Sequence, residues 1–193
     1  MTEPSRFDID TFIPARNHLN EFINRVAKEY ASPEKTVLEI GPQERSEVGI
    51  AFSSCSISTL DIVGDYSPDI VGDITKYNKY IPDSSFDIIT CLEVLEHTLD
   101  PFSAIKELRR ICKDSGIILF SAPLNWRIHG PIPDCWRFTE FGWKVLLKDF
   151  DILEIDKMHT PGRNLFPIKY NVLARCDKSK NVNTEDMVFY PAD

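Results

Sequence analysis

Short apolar runs alternating with helix-like stretches constrain this chain more than any other feature of it. Four runs stand out: residues 36–40 (TVLEI), 57–62 (ISTLDI), 86–91 (FDIITC) and 117–121 (IILFS). Strands alternating with helical segments are the pattern of an α/β fold with a largely parallel sheet. Between them the spacing predicts an amphipathic helix over 13–30, with Leu19, Phe22, Ile23 and Val26 on one face and Ser32-Pro33 as its stop. Further helices are expected over 44–52, over 101–112 behind Asp100 as cap and Pro101 as first residue, and over 139–147. A short strand at 69–71 and two final strands at 151–158 and 168–176 complete the order. Asp114-Ser115-Gly116 reads as the turn into the 117–121 strand, and the IVGD repeat is too short to mark a duplication.

A chain of 193 residues fits one domain. The reading divides it into an N-terminal helical segment (1–34), a main domain (35–176) and a polar, loose C-terminal tail (177–193). No apolar run approaches the roughly 20 residues that cross a bilayer. The acids and prolines of residues 1–13 do not make a secretion signal, so a cytosolic protein with no membrane partner is expected. Five cysteines, odd in number and without a Cys-x-x-Cys pair, point to free thiols in a reducing compartment. The net charge of −8 runs against a nucleic-acid acceptor, whose phosphates call for a basic surface, and favours a small-molecule or peptide partner. An oligomer is compatible with everything above.

In open parallel sheets ligands bind beyond the carboxyl ends of the strands. Here those ends carry acids: Glu39 before Gly41-Pro42, Asp61-Ile62, Asp73-Ile74 and Leu92-Glu93. Such a ring repels a phosphate-rich cofactor and accepts a sulfonium attached to adenosine. The series VLEIG, TLDI, DIVGDI, FDIITCLEVLEHTLDP and LRRICKDSGIILFSAP resembles the ordered motifs of class I S-adenosylmethionine-dependent methyltransferases over about residues 35–123. The resemblance implies a Rossmann-like fold: a mostly parallel seven-stranded sheet with the last strand antiparallel and helices on both faces. It implies S-adenosyl-L-methionine as cofactor, with Glu39, Gly41 and Pro42 around its methionine part. Asp61 would lie at the ribose hydroxyls, Ile62 on the adenine, Asp73 and Ile74 near the adenine amino group, and Leu92 beneath the methyl donor. Taken alone, Asp61 reads equally as a helix cap. The departure is the first loop, where Gly41 is followed by Pro42-Gln43-Glu44-Arg45 instead of further glycines, which would permit close backbone approach.

Methyl transfer from a sulfonium needs alignment of the acceptor and, in some cases, removal of its proton. Glu93, Glu96 and His97, at spacings of three and four, are placed on one side of a helical turn. Glu-x-x-Glu-His is similar to the metal site of ubiquinone-pathway and small-RNA O-methyltransferases. The same helix start occurs widely in the family without metal, so a divalent ion is the less favoured reading and His97 the preferred base. The segment 123–139 (PLNWRIHGPIPDCWRFT) supplies His129 as a second base and the pairs Trp126-Arg127 and Trp136-Arg137 as acceptor-binding candidates. Aromatics beside arginines suit a sugar face or a phosphorylated group. The competing expectation is that Trp136, Phe138 and Phe141 pin the following helix while Arg137 pairs with a nearby acid. The expected activity is methyl transfer to oxygen or nitrogen of a small metabolite or sugar-like acceptor, with Glu93, His97 and His129 as catalytic candidates. The alternative is a weakly active methyltransferase-like subunit that stabilises a partner. The absence of Gly-x-Gly-x-x-Gly and Tyr-x-x-x-Lys sets aside a nicotinamide enzyme.

Overall fold

The computed structural model describes residues 3–42, 47–187 and 189. Strands β1 (Thr36–Ile40), β2 (Ser56–Asp61), β3 (Ile70–Val71), β4 (Phe86–Leu92), β5 (Cys112–Pro123), β6 (Phe150–Met158) and β7 (Lys169–Cys176) form one sheet in the order β3-β2-β1-β4-β5-β7-β6. Every pairing is parallel except those of β7, which runs antiparallel to both β5 and β6. Chain order reverses between β1 and β4, which puts the switch point at the ends of these two strands.

Helices α1 (Arg6–Tyr30) and α2 (Glu47–Ala51) cover one face of the sheet, and α3 (Pro101–Ile111) and α4 (Glu140–Leu146) cover the other. On the first face, Phe22, Ile23 and Val26 of α1 pack with Val37, Ile88 and Leu119. On the second, Leu108 and Trp143 pack with Leu38, Ile89 and Phe120. Both faces of the central strands are therefore buried, and this explains why they read as mostly apolar runs.

Helix α1 begins seven residues earlier than its periodicity suggests. Ser5 and Asp8 form a reciprocal capping box, the Asp8 N–H donating to Ser5 Oγ and the Ser5 N–H to Asp8 Oδ2 at 2.7 Å. Pro14 is accommodated inside the helix on its exposed side. The expected helix over 44–52 begins outside the described residues, and its described part is α2. Residues 177–182 are tied down, in contrast to the loose tail expected from their polarity. Arg109 donates to the main-chain oxygens of Asp177 (2.7 Å) and Lys180 (2.8 Å), and the Val182 N–H donates to Asp149 (2.8 Å). All five cysteines are free thiols.

At the amino ends of the strands, Asp87 joins β1, β4 and β5. It accepts from the Thr36 N–H (3.0 Å) and hydroxyl (2.9 Å), Lys113 (2.7 Å) and Lys35 (3.2 Å). Partial burial opposes its ionisation, but these donors outweigh that and hold its carboxyl well below the usual carboxylate range. A depressed pKa stabilises the fold above the unfolded value of about 3.9, and the gain is lost as pH falls through the folded value. Asp87→Asn is therefore expected to cost about 1–3 kcal/mol at pH 7. The deficit relative to wild type should shrink steadily below pH 4 in urea titrations. Trp143 is fully buried against Phe120 and Phe138 (ring centroids 5.9 and 5.1 Å), yet its indole N–H has no partner among the described residues. Trp143→Ala should cost about 3–5 kcal/mol. Trp143→Phe, which removes the orphaned donor and keeps the ring, should cost less than half as much.

Candidate active site

The carboxyl ends of β1 and β4 open into a cavity of about 330 Å³. Glu39, Gly41, Leu92 and Glu93 from those strand ends line it, together with His97, Trp126 and His129. Gly41 adopts φ +67°, a conformation that favours glycine, and a Cβ here would sit 3.0 Å from Val94 Cγ2. Its N–H donates to Leu60 O at 2.8 Å, tying the end of β1 to the end of β2. Pro42 is buried beside it. Asp61 and Ile62 lie at the end of β2 outside the cavity wall, Ile62 64% exposed and Asp61 accepting the Val63 N–H at 3.0 Å. Asp73 caps its own turn, accepting the Thr75 N–H (2.8 Å) and hydroxyl (2.7 Å), while Ile74 is buried in the core.

Beyond β4, Glu93 has φ +56° and Leu95–His97 form one turn of 3-10 helix. The two glutamates consequently part. Glu93 accepts from Ser121 Oγ at 2.5 Å and from Lys169 Nζ at 2.9 Å. Burial opposes its ionisation, but the ammonium and the hydroxyl prevail and lower its pKa. Glu96 is 0% exposed, and neither carboxylate oxygen has a hydrogen-bond partner among the described residues, the nearest basic nitrogen being His97 Nε2 at 3.9 Å from Oε1. Burial, reinforced by the charge of Glu93, pushes its carboxyl well above the usual range.

The segment 123–139 is folded against this turn. Glu96 O accepts the N–H groups of Cys135 (2.7 Å) and Trp136 (3.2 Å), and Thr98 O accepts the Trp136 indole N–H (2.9 Å). His97 Nδ1 lies 2.9 Å from Pro133 O. A carbonyl can only accept, so Nδ1 is the donor here, and in the neutral ring Nε2 is the nitrogen left with its lone pair. His129 repeats the arrangement, with Nδ1 3.1 Å from Asp134 Oδ2. Arg137 grips Asp134 with two N–H groups (2.5 and 2.8 Å), chiefly responsible for holding that carboxyl far below its ordinary value, and Asp134 also accepts the His129 N–H at 2.9 Å. The two imidazoles meet edge to face, with centroids 4.8 Å apart. Ligand atoms of Glu96, His97 and His129 all lie within 4.8 Å of one another.

This group fits a divalent cation. A buried carboxylate without a hydrogen bond among the described residues adjoins two imidazoles whose Nδ1 atoms already face acceptors, the support that orients a metal-bound histidine. Among the acceptor-binding candidates, Trp126 lines the cavity, and Trp136 stacks on Phe138 (centroids 6.4 Å, 11° between planes). Arg137 serves Asp134, and Arg127 is outside the wall, its main-chain oxygen accepting from Arg137 at 3.2 Å.

Sequence reasoning overlooked Lys169, Ser121 and Asp134, and it did not place α1 over the site. Phe12, Arg16, Leu19 and Ile23 of that helix form one wall of the cavity. A legible signal existed for one of these: Asp134 precedes Arg137 by three residues.

A methyltransferase-domain family model matches residues 13–153. The ubiquinone biosynthesis O-methyltransferase of Histophilus somni (strain 2336) is 37% identical over 87 residues, 45% of this chain and 34% of that enzyme. The chain thus spans about a third of the length of this curated relative. Among solved structures, the N-methyltransferase NodS from Bradyrhizobium japonicum WM9 has a TM-score of 0.64 at 15% identity, covering 86% of this chain and 98% of its own. An S-adenosylmethionine-dependent methyltransferase from Methanosarcina mazei has a TM-score of 0.60 at 18% identity, covering 79% and 97%. At such identities the structural likeness shows the fold alone. The family match spans well over half of the sequence, and the strand order with its antiparallel last strand is that of the neighbours, so the chain belongs to the class I S-adenosylmethionine-dependent methyltransferases.

Proposed function

We propose that the protein methylates an oxygen of a small acceptor seated between α1 and the segment 123–139, with a divalent cation held by Glu96, His97 and His129. The observation that carries this reading is the fully buried carboxylate of Glu96, without a hydrogen bond among the described residues, within 4.8 Å of a ring nitrogen of each of two histidines. Glu39, Gly41, Pro42 and Leu92 would hold the methionine part of S-adenosylmethionine, with Asp61 and Ile62 at the ribose and adenine and Asp73 and Ile74 beyond them. When bound, that cofactor supplies an electrophilic methyl group, and a cation at the cluster would acidify an acceptor hydroxyl.

The chain's own residues orient and shield. Phe12 and Trp126, with ring centroids 6.5 Å apart, provide flat apolar walls, and Leu19, Ile23 and Ile168 extend them. Asp134 fixes the His129 ring and Pro133 O fixes His97, so both Nε2 atoms are presented without rearrangement. In the absence of a cation the same two nitrogens are placed to take the acceptor proton, the second reading that their lone pairs support. The name of the Histophilus relative, an O-methyltransferase, agrees with oxygen as the methylated atom.

Calorimetry on metal-stripped protein tests this directly. S-adenosylmethionine and S-adenosylhomocysteine should bind, and Asp61→Ala should weaken both at least about tenfold. Failure of the wild type to bind either would favour a methyltransferase-like subunit with a stabilising role. Mn²⁺ should bind the wild type and be lost in Glu96→Gln with S-adenosylhomocysteine affinity retained. No Mn²⁺ binding by the wild type would leave His97 or His129 as a metal-free base. In nitrogen-detected NMR of the neutral ring, His129 should show the Nδ1–H tautomer. Asp134→Asn, whose amide can present N–H instead of a carboxylate, should raise the Nε2–H population and weaken Mn²⁺ binding by about 10–100-fold.

A further inference from the structure

Lys169 opens β7, opposite Pro123 of β5 and Met158 of β6, and is 4% exposed. Its ammonium lines the cavity and donates to Glu93 Oε1, an oxygen shared with Ser121. An ammonium has three N–H donors. No second acceptor for it exists among the described residues. Burying a cation is costly unless its donors are satisfied, so two donors bordering a cavity mark a place where a ligand completes the set. Among the described residues, Arg16 is the other lysine or arginine that lines the cavity. Its guanidinium lies over the Phe12 ring at 5.9 Å and has no carboxylate partner among the described residues.

We propose that the acceptor carries a carboxylate and that Lys169 is the residue that selects it, an inference that rests on the acceptor site proposed above. A carboxylate offers oxygens to both remaining N–H donors in a charge-assisted pair, whereas a neutral amide or hydroxyl gives less. Apolar Ile168, Pro123 and Trp126 line the same cavity, so the pairing takes place away from bulk water, where it is stronger. The cofactor's methionyl carboxylate is the rival source of this chemistry. The sheet order β1-β4-β5-β7 sets the Lys169 backbone three strands from the Glu39–Gly41 loop, about 14 Å at ordinary strand spacing, and its side chain reaches as far as Glu93, just beyond β4. Placement therefore favours the acceptor.

The test compares 2-hydroxybenzoate with 2-hydroxybenzamide, a pair alike in shape and different in charge, on protein saturated with S-adenosylhomocysteine. The wild type should bind the acid about tenfold or more tightly than the amide. Lys169→Met combined with Glu93→Gln, which strands no charge, should bring the ratio near one, and Lys169→Arg should restore part of it. A wild-type ratio near one, a ratio that survives in the double variant, or failure of both probes to bind would overturn the proposal. So would a double variant that loses S-adenosylhomocysteine affinity with its probe ratio unchanged, since that assigns the cation to the cofactor. Absence of S-adenosylhomocysteine binding to the wild type would instead remove the underlying methyltransferase site, and with it this inference.

Discussion

The main-chain oxygen of Glu96 accepts two N–H groups from Cys135 and Trp136, nearly 40 residues further along the chain, and the convergence of the site follows from that clamp. It brings a proline-rich segment against a one-turn helix, so that Pro133 O meets His97 and Asp134 meets His129. Arg137 neutralises Asp134, the Trp136 indole closes on Thr98, and Trp136, Phe138 and Trp143 continue the stack into the core. Each link is an ordinary hydrogen bond or ring contact of modest net worth. Together they fix two imidazoles that no local sequence preference would bring face to edge.

The electrostatics depend on how the two glutamates are separated. The positive φ of Glu93 and the tight turn after it send one carboxylate to the cavity wall and bury the other beneath it. Two acids at close range resist joint ionisation, and their surroundings push them apart: an ammonium and a hydroxyl hold Glu93 charged, while Glu96 has neither. The same asymmetry distinguishes the group positioned by a lysine from the group proposed to hold a cation.

Much of this was legible in the sequence because it is local. TVLEI and FDIITCL are buried on both faces and are apolar for that reason, and Pro101 behind Asp100 marks a helix start by its chemistry. The Ser5–Asp8 capping box is also a local signal, though acids and Pro14 obscured it. The site was legible in part. Glu93 and His97 sit on a strand end whose register follows from the fold, but the Lys169–Glu93 pair joins residues 76 apart in sequence, and no spacing rule reaches that far. Trp136 and Arg137, which the sequence offers both as acceptor ligands and as framework with Arg137 paired to an acid, make framework contacts in the segment that carries them. An aromatic–arginine pair looks alike in sequence whether it faces a ligand or its own loop.

The antiparallel course of β7 has a consequence for how such a protein can diverge. Parallel strands deliver their last residues to the ligand edge, where they join turns already committed to the cofactor. An antiparallel strand delivers its first residue there, on the far side of the sheet from those turns. Under the acceptor assignment proposed for Lys169, changes there and in the segment leading to β7 would recast what is methylated while the donor half stays intact. One inverted strand makes the fold evolvable in two independent halves.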